Sequence, residues 1–170
     1  MSQNYSIRRA IESDAEQIIL HTKKVLEENT DFMGTSLEEF NPTIEEEKAW
    51  IHSHSRQGLL LVAEVNKTII GILNFRLSST KKFSHQGLFG MSIQESFTNQ
   101  GIGRSLIKEL IQWAKKDNRV EKISLEVFSN NNRAIHLYTK LGFTEEGRRI
   151  KQAKISPNEY VDDILMSMFT

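Results

Sequence analysis

The run Gln100-Gly101-Ile102-Gly103-Arg104-Ser105-Leu106 joins an extended segment to one of helical periodicity, and no other stretch constrains the chain as much. Two glycines one residue apart allow a tight turn with no Cβ to hold a ligand away. The helix that follows offers unpaired N–H groups and the positive end of its dipole. Together these make a cradle for a pyrophosphate. A glycine pair alone serves geometry in many strand-to-helix turns. Here a further strand follows, and then Asn131-Asn132-Arg133-Ala134-Ile135-His136-Leu137-Tyr138-Thr139-Lys140-Leu141-Gly142-Phe143.

The remaining segments fit around that passage. Tyr5 to Ala10 reads as a strand, and Ser13 or Asp14 as the cap of a helix carrying Ile18, Ile19, Val25 and Leu26. Asp31 to Pro42 is loop-like. Thr43 is placed to cap a second helix with Glu45, Glu46 and Glu47 in its first turns. Leu59 to Val65 and Thr68 to Leu77 form a hairpin about Asn66-Lys67. His85 to Ile93 is a further strand in which Gly87 and Gly90 predict a bulge or a close ligand approach. Leu106, Leu110 and Trp113 share one line of the next helix, beside Ile107, Ile111 and Ala114. Lys122 to Phe128 is a strand, the helix from Arg133 stops at Gly142, and Phe143 to Lys154 and Tyr160 to Phe169 close the chain as strands. Hairpins mixed with strand–helix units predict a mixed, largely antiparallel sheet. No repeat or linker divides residues 1–170, so one domain is expected.

Composition removes several function classes. Lys+Arg and Asp+Glu both total 22, so the simplest argument for a nucleic-acid binder is absent, although Arg148, Arg149, Lys151 and Lys154 could form a local basic patch. The chain has no cysteine, which excludes disulfides, thiolate zinc sites and a cysteine nucleophile. His52 and His54 point to different sides of a helix, so no metal site is read there. Met1 to Arg9 holds no apolar signal core and no stretch approaches membrane-spanning length, so the expectation is a soluble, cytoplasmic protein with no membrane partner.

The Gln-Gly-x-Gly turn and helix, followed by a strand and Asn-x-x-Ala-x-x-Leu-Tyr-x-Lys-x-Gly-Phe, resemble the GCN5-related N-acetyltransferase family. The resemblance runs over nearly the whole chain and is most specific from Gly90 to Gly147. The ending, Glu146-Gly147-Arg148 and then Tyr160-Val161-Asp162-Asp163-Ile164, is similar to bacterial members that acetylate small amines, amino acids or protein amino groups. It implies an α+β, three-layer domain whose central sheet of about seven strands carries helices on both faces. It also implies acetyl-CoA as donor, direct transfer to a primary amine (of a polyamine, an amino acid or a peptide N-terminus) and, by analogy, a homodimer. Carried over to this sequence, the cofactor contacts are Met91, Ser92 and Ile93 on the strand, Thr98, Asn99, Gln100, Gly101, Ile102, Gly103, Arg104 and Ser105 at the turn, and Asn131, Ala134 and Tyr138 beyond it. One departure is visible: three residues before the first glycine, where the family pattern has Arg or Gln, stands Thr98.

Amine acetylation needs a neutral amine, an electrophilic thioester and a proton for the departing thiolate. Binding both reactants together supplies much of the rate. A backbone N–H near Ile93 is suited to the developing oxyanion and Tyr138 to protonating the sulfur. Glu126 and His85 are the two candidates for general base, with an ordered water chain as the alternative. Structural readings stand beside these: Tyr138 as an interface residue with a wet hydroxyl, Asn131 as a helix cap. Glu27, Glu28, Asp31, Glu38, Glu39, Glu45, Glu46 and Glu47 concentrate negative charge around the first two helices, which predicts a cationic acceptor or simply a solvated acidic face. Two other classes are weighed. One is a non-catalytic acyl-CoA-binding sensor. The other is a dinucleotide-binding oxidoreductase, disfavoured because position 106 is Leu where the longer glycine pattern needs Gly.

Overall fold

The computed structural model describes residues 4–170. Seven strands form one sheet: β1 (Ser6–Arg9), β2 (Gly58–Val65), β3 (Thr68–Leu77), β4 (Gln86–Ile93), β5 (Lys122–Phe128), β6 (Thr144–Ser156) and β7 (Glu159–Phe169). Their order across the sheet is β1-β2-β3-β4-β5-β7-β6. Every neighbouring pair is antiparallel except β4 with β5. Four helices accompany them: α1 (Ala15–Glu28), α2 (Ile44–Gln57), α3 (Ile102–Lys116) and α4 (Asn132–Lys140).

Strand periodicity divides the core into two layers. On β2, Leu59, Leu61, Ala63 and Val65 join Ile102, Leu106, Ile107 and Leu110 of α3 on one face of the sheet. Leu60 and Val62 point the other way and pack with Ala15 and Ile18 of α1 and Ile51 of α2. A continuous apolar strand is what helices on both faces require. Trp113, expected on the core line of α3, is half-buried and meets Phe75 edge-on at 5.6 Å between ring centroids.

Local signals work largely as the residue types dictate. Thr43 Oγ1 accepts from Glu46 N–H and Glu46 reaches back to Thr43 N–H, a capping box that starts α2. Asn66 and Lys67 both take positive φ (49° and 67°), the geometry of the tightest hairpins. Two expectations are corrected. Asp14 does not cap α1 with its side chain. Its carboxylate instead accepts from Arg8 at 2.7 and 2.9 Å and from Ile11 N–H at 2.8 Å, tying β1 to a short 3-10 turn. Of the bulge or close ligand approach expected at Gly87 and Gly90, the bulge is absent, because β4 runs in unbroken register with β3, while Gly90 lines a cavity. Gly87 is needed for packing: an added Cβ would lie 2.4 Å from the Phe75 ring. Register shifts sit elsewhere: between β2 and β3 at Ala63/Glu64, and along β6 where it pairs with β7.

The feature that positions the site is the short β4–β5 pairing. Only Gln86, Gly87 and Leu88 pair with Lys122, Ile123 and Ser124. Beyond them β4 stays with β3 and β5 stays with β7, so the strands part. Among the described residues the β5-facing edge of β4 from Phe89 to Ile93 has no strand partner; α3 follows β4 after a 3-10 turn at Glu95–Phe97, and α4 follows soon after β5.

Candidate active site

A two-lobed cavity opens where β4 and β5 part. The first lobe, about 390 Å³, lies among β4, the start of α3 and α4. Met91, Ser92 and Ile93 line it from the free edge of β4, with Thr98, Asn99, Gly101, Ile102, Gly103 and Arg104 from the turn and Ala134 from α4. An extended chain bearing amide groups can pair with such an edge as a missing strand would. Gly101 is the N-cap of α3, at φ +85°, and no side chain caps the helix. The first amides of α3 thus face the lobe without a capping oxygen, the arrangement that receives a phosphate. Gly103 answers a different need: a Cβ there would stand 3.2 Å from the ends of Ile93, Leu137 and Met91, so its absence lets α3 approach β4 and α4.

Not every residue of the turn is available. The Ser105 amide donates to Gly101 O, and its hydroxyl is paired with Tyr5 at 2.8 Å. Gln100 Nε2 donates to Ser96 O. Neither lines the cavity. The Thr98 hydroxyl donates to Glu95 O at 2.8 Å, so it is not a free donor. The charge absent from position 98 arrives from α4. Arg133 Nη1 and Nη2 each donate to Glu95 at 3.0 Å, and Nη1 also donates to Thr98 Oγ1 at 3.1 Å. This guanidinium lines the first lobe, and sequence spacing gave no hint that it belongs beside Thr98.

Six residues, Phe32, Met33, Met91, Ser92, Asn131 and Tyr138, line both lobes and so mark their junction. Asn131 Oδ1 accepts from Ala134 N–H at 3.2 Å, making it the cap of α4 and leaving its amide nitrogen for a ligand. Tyr138 is held by edge-on contacts with Phe89 and Phe143, at 5.8 and 6.1 Å between centroids. Burial pushes its phenol up to about 12, so it stays protonated through the physiological range. Ser92 is supported from beneath by His21, a residue the sequence did not single out. His21 Nε2 lies 2.9 Å from Ser92 Oγ, and Gln94 Nε2 lies 3.4 Å from Nδ1. The two ring nitrogens thus sit between Ser92 and Gln94, and Gln94 Nε2 also donates to Ile69 O at 3.1 Å. Burial brings His21 down to about 4, with Lys24 adding to the effect, so the imidazole is neutral.

The second lobe, about 700 Å³, is bounded by α2, the loop before it, β4 and β5. Phe32, Met33, Phe40 and Trp50 give it an apolar wall, and Glu46, Glu47, Glu126 and Asp163 are its carboxylates. Glu126 and Asp163 share Arg149 Nη1, at 2.9 and 2.7 Å. Burial first, and then the charge of Glu126, raises Asp163 against the opposing pull of Arg149. Of the acidic run expected to border an acceptor, only Glu46 and Glu47 reach the cavity. Glu28 instead accepts from Glu95 N–H at 2.9 Å. His85 is also displaced from the site. It precedes β4 at the end remote from Ser92, its carbonyl accepts from Glu121 and Lys122 N–H, and it lines neither lobe. The expected basic patch is largely neutralised, since Arg148 pairs with Glu145 and Asp162 while Arg149 is held as above. His52 pairs with Glu12, and His54 is buried against Trp50. Among the described residues no helix is long and apolar enough to cross a membrane.

Comparison with known proteins agrees with this geometry. A model of the acetyltransferase (GNAT) family matches residues 22–143. The L-amino acid N-acetyltransferase AaaT of Escherichia coli is 34% identical over 107 residues, covering 63% of this chain and 65% of that protein, so the match spans just under two thirds of that relative. The crystal structure of a GNAT-family acetyltransferase from Streptococcus pneumoniae superposes with a TM-score of 0.92 at 29% identity, over 98% of this chain and 100% of that one. The fold is shared too by yncA of Salmonella typhimurium, solved with its cofactor acetyl-CoA, at a TM-score of 0.85 and 21% identity over 98% of this chain and 94% of that one. Since the family model spans well over half of its length, this chain belongs to the acetyltransferase (GNAT) family, whose members draw on acetyl-CoA.

Proposed function

We propose that the protein transfers the acetyl group of acetyl-CoA directly to a primary amine of a small molecule or a protein, with the first lobe as donor site and the second as acceptor site. The observation that carries this reading is the parting of β4 from β5, which opens two lobes that meet at Ser92, Asn131 and Tyr138. The residues of the first lobe fit the donor: an uncapped helix start for the diphosphate, a free strand edge for the amide-bearing arm, and Arg133 for a further phosphate charge. Bound there, the donor supplies an activated acyl carbon and a thiolate leaving group.

The chain's own part is positioning and proton handling. Transfer joins the acceptor nitrogen to the acyl carbon and breaks the carbon–sulfur bond, so one proton must reach sulfur and one must leave nitrogen. Tyr138, buried and protonated, delivers the first. Glu126, on the acceptor side and paired with Arg149, takes the second directly or through water. A main-chain N–H of β4 near Ile93 steadies the oxyanion.

Thiol release from acetyl-CoA across a panel of amines tests the proposal. Acetyl-CoA should raise the unfolding midpoint and NAD should not, because only a ligand that binds the folded state stabilises it. Stabilisation without thiol release against any amine would turn the reading toward an acyl-CoA sensor.

A further inference from the structure

Four carboxylates line the acceptor lobe, and three are already engaged. Glu46 accepts from Thr43 N–H at 2.7 Å and from its hydroxyl at 3.0 Å. Glu126 and Asp163 share Arg149. Glu47 differs from all three. It is 6% exposed, and among the described residues no hydrogen bond or ion pair reaches its carboxylate. Burial alone raises its pKa, with no partner pulling it down. The residue is packed away while its carboxylate, at the cavity wall, has neither donor nor counter-charge among the described residues, and a cationic guest supplies both. Around the same lobe, Phe32, Phe40 and Trp50 offer aromatic surface, which attracts cations. None of the described residues lining the lobe is Lys, Arg or His.

We propose that Glu47 anchors a second cationic centre of the acceptor, so that the preferred acceptor is a linear diamine or polyamine rather than a free amino acid. The inference rests on the acetyltransferase reading above and narrows it. One amine gives up its proton and is acetylated at the junction beside Tyr138. The other keeps its charge and takes Glu47 as counter-ion, its methylenes lying against the aromatic wall. A free amino acid would carry its carboxylate into a lobe that already holds four carboxylates and no lining cation.

Three amines that differ only at the far end decide the matter: 1,4-diaminobutane, butylamine and 4-aminobutanoate. Binding to the coenzyme A-loaded protein is measured by titration calorimetry, and kcat/KM by thiol release. The diamine should bind about tenfold or more tighter than butylamine, with 4-aminobutanoate weakest. Glu47→Gln should erase the diamine's advantage and leave butylamine within about twofold. Glu47→Asp, which keeps the charge, should restore part of it. Equal binding of diamine and butylamine to the wild-type protein would overturn the proposal, as would a Glu47→Gln loss of the same factor for both. The two readings fail separately. Glu47-dependent diamine binding without thiol release sinks the transferase and upholds the anchor. Thiol release that is equally efficient with butylamine and the diamine sinks the anchor and upholds the transferase.

Discussion

The imidazole Nε2 of His21 lies 2.9 Å from the hydroxyl of Ser92, so a neutral histidine inside α1 supports a residue at the junction of the two lobes. Its ionisation is a stability switch with a definite sign. The folded value is about 4, below the ordinary 6.5, so the unfolded chain takes up a proton that the native state refuses. The contribution is fully present above pH 6.5 and is lost as pH falls toward 4, amounting to about 3 kcal/mol. Denaturant unfolding across that window should show His21→Gln losing correspondingly less stability than wild type. Parallel curves would show that His21 titrates normally.

Tyr138→Phe removes the phenol and keeps the ring that Phe89 and Phe143 grip. It should lower kcat by about a hundredfold while leaving the affinity for acetyl-CoA nearly unchanged, as read by steady-state kinetics and calorimetry. Because burial carries the phenol to about 12, kcat of the wild type should not fall between pH 9 and 10.5 through this group. A falling limb in that range that vanishes in Tyr138→Phe would place its pKa near the ordinary value.

Arg133, which lines the first lobe, is latched to Glu95 beside it at 3.0 Å. Both are partly exposed, so Arg133→Ala should hardly move the unfolding midpoint. The same change should weaken acetyl-CoA binding by about tenfold, since it removes the guanidinium that stands beside Thr98. Glu95→Gln, which frees that guanidinium for a phosphate, should leave binding as tight or tighter. Weakening by both substitutions to the same extent would mean that the latch itself, and not the charge of Arg133, matters to the ligand.

The two glycines of the turn should separate on substitution. Gly101→Ala forces a Cβ into φ +85°, at a cost of about 1 kcal/mol, and should mainly weaken acetyl-CoA binding by disturbing the first turn of α3. Gly103→Val drives two methyl groups into Ile93, Leu137 and Met91 and should mainly lower the unfolding midpoint, by about 1–3 kcal/mol of stability. Midpoint and affinity measured on both variants check the separation.

The order of strands and helices was legible because each rests on local rules. Short apolar strand runs, the Thr43–Glu46 capping box and the left-handed Asn66-Lys67 turn all act within a few residues of sequence. The turn into α3 was legible through its glycines for the same reason. His85 and His21 show where that reach stops. Both are histidines in plain chemical contexts, yet one sits at the remote end of β4 and the other under Ser92. Likewise Gln100 and Ser105 fit the turn's pattern, but their side chains are taken by Ser96 and Tyr5 and neither residue lines the cavity.

Glu45, Glu46 and Glu47 make the division sharpest. In sequence they are three equivalent carboxylates at the start of a helix, and that alone fixes their place in its favourable dipole field. Packing then gives them different fates: Glu45 pairs with Lys48, Glu46 closes the cap, and Glu47 is left buried and unpartnered in the acceptor lobe. Backbone periodicity, caps and turns are short-range and survive in a string of letters. Which charge is neutralised, which is desolvated and which strands part are set by contacts between residues far apart in the chain, and only the folded arrangement decides them.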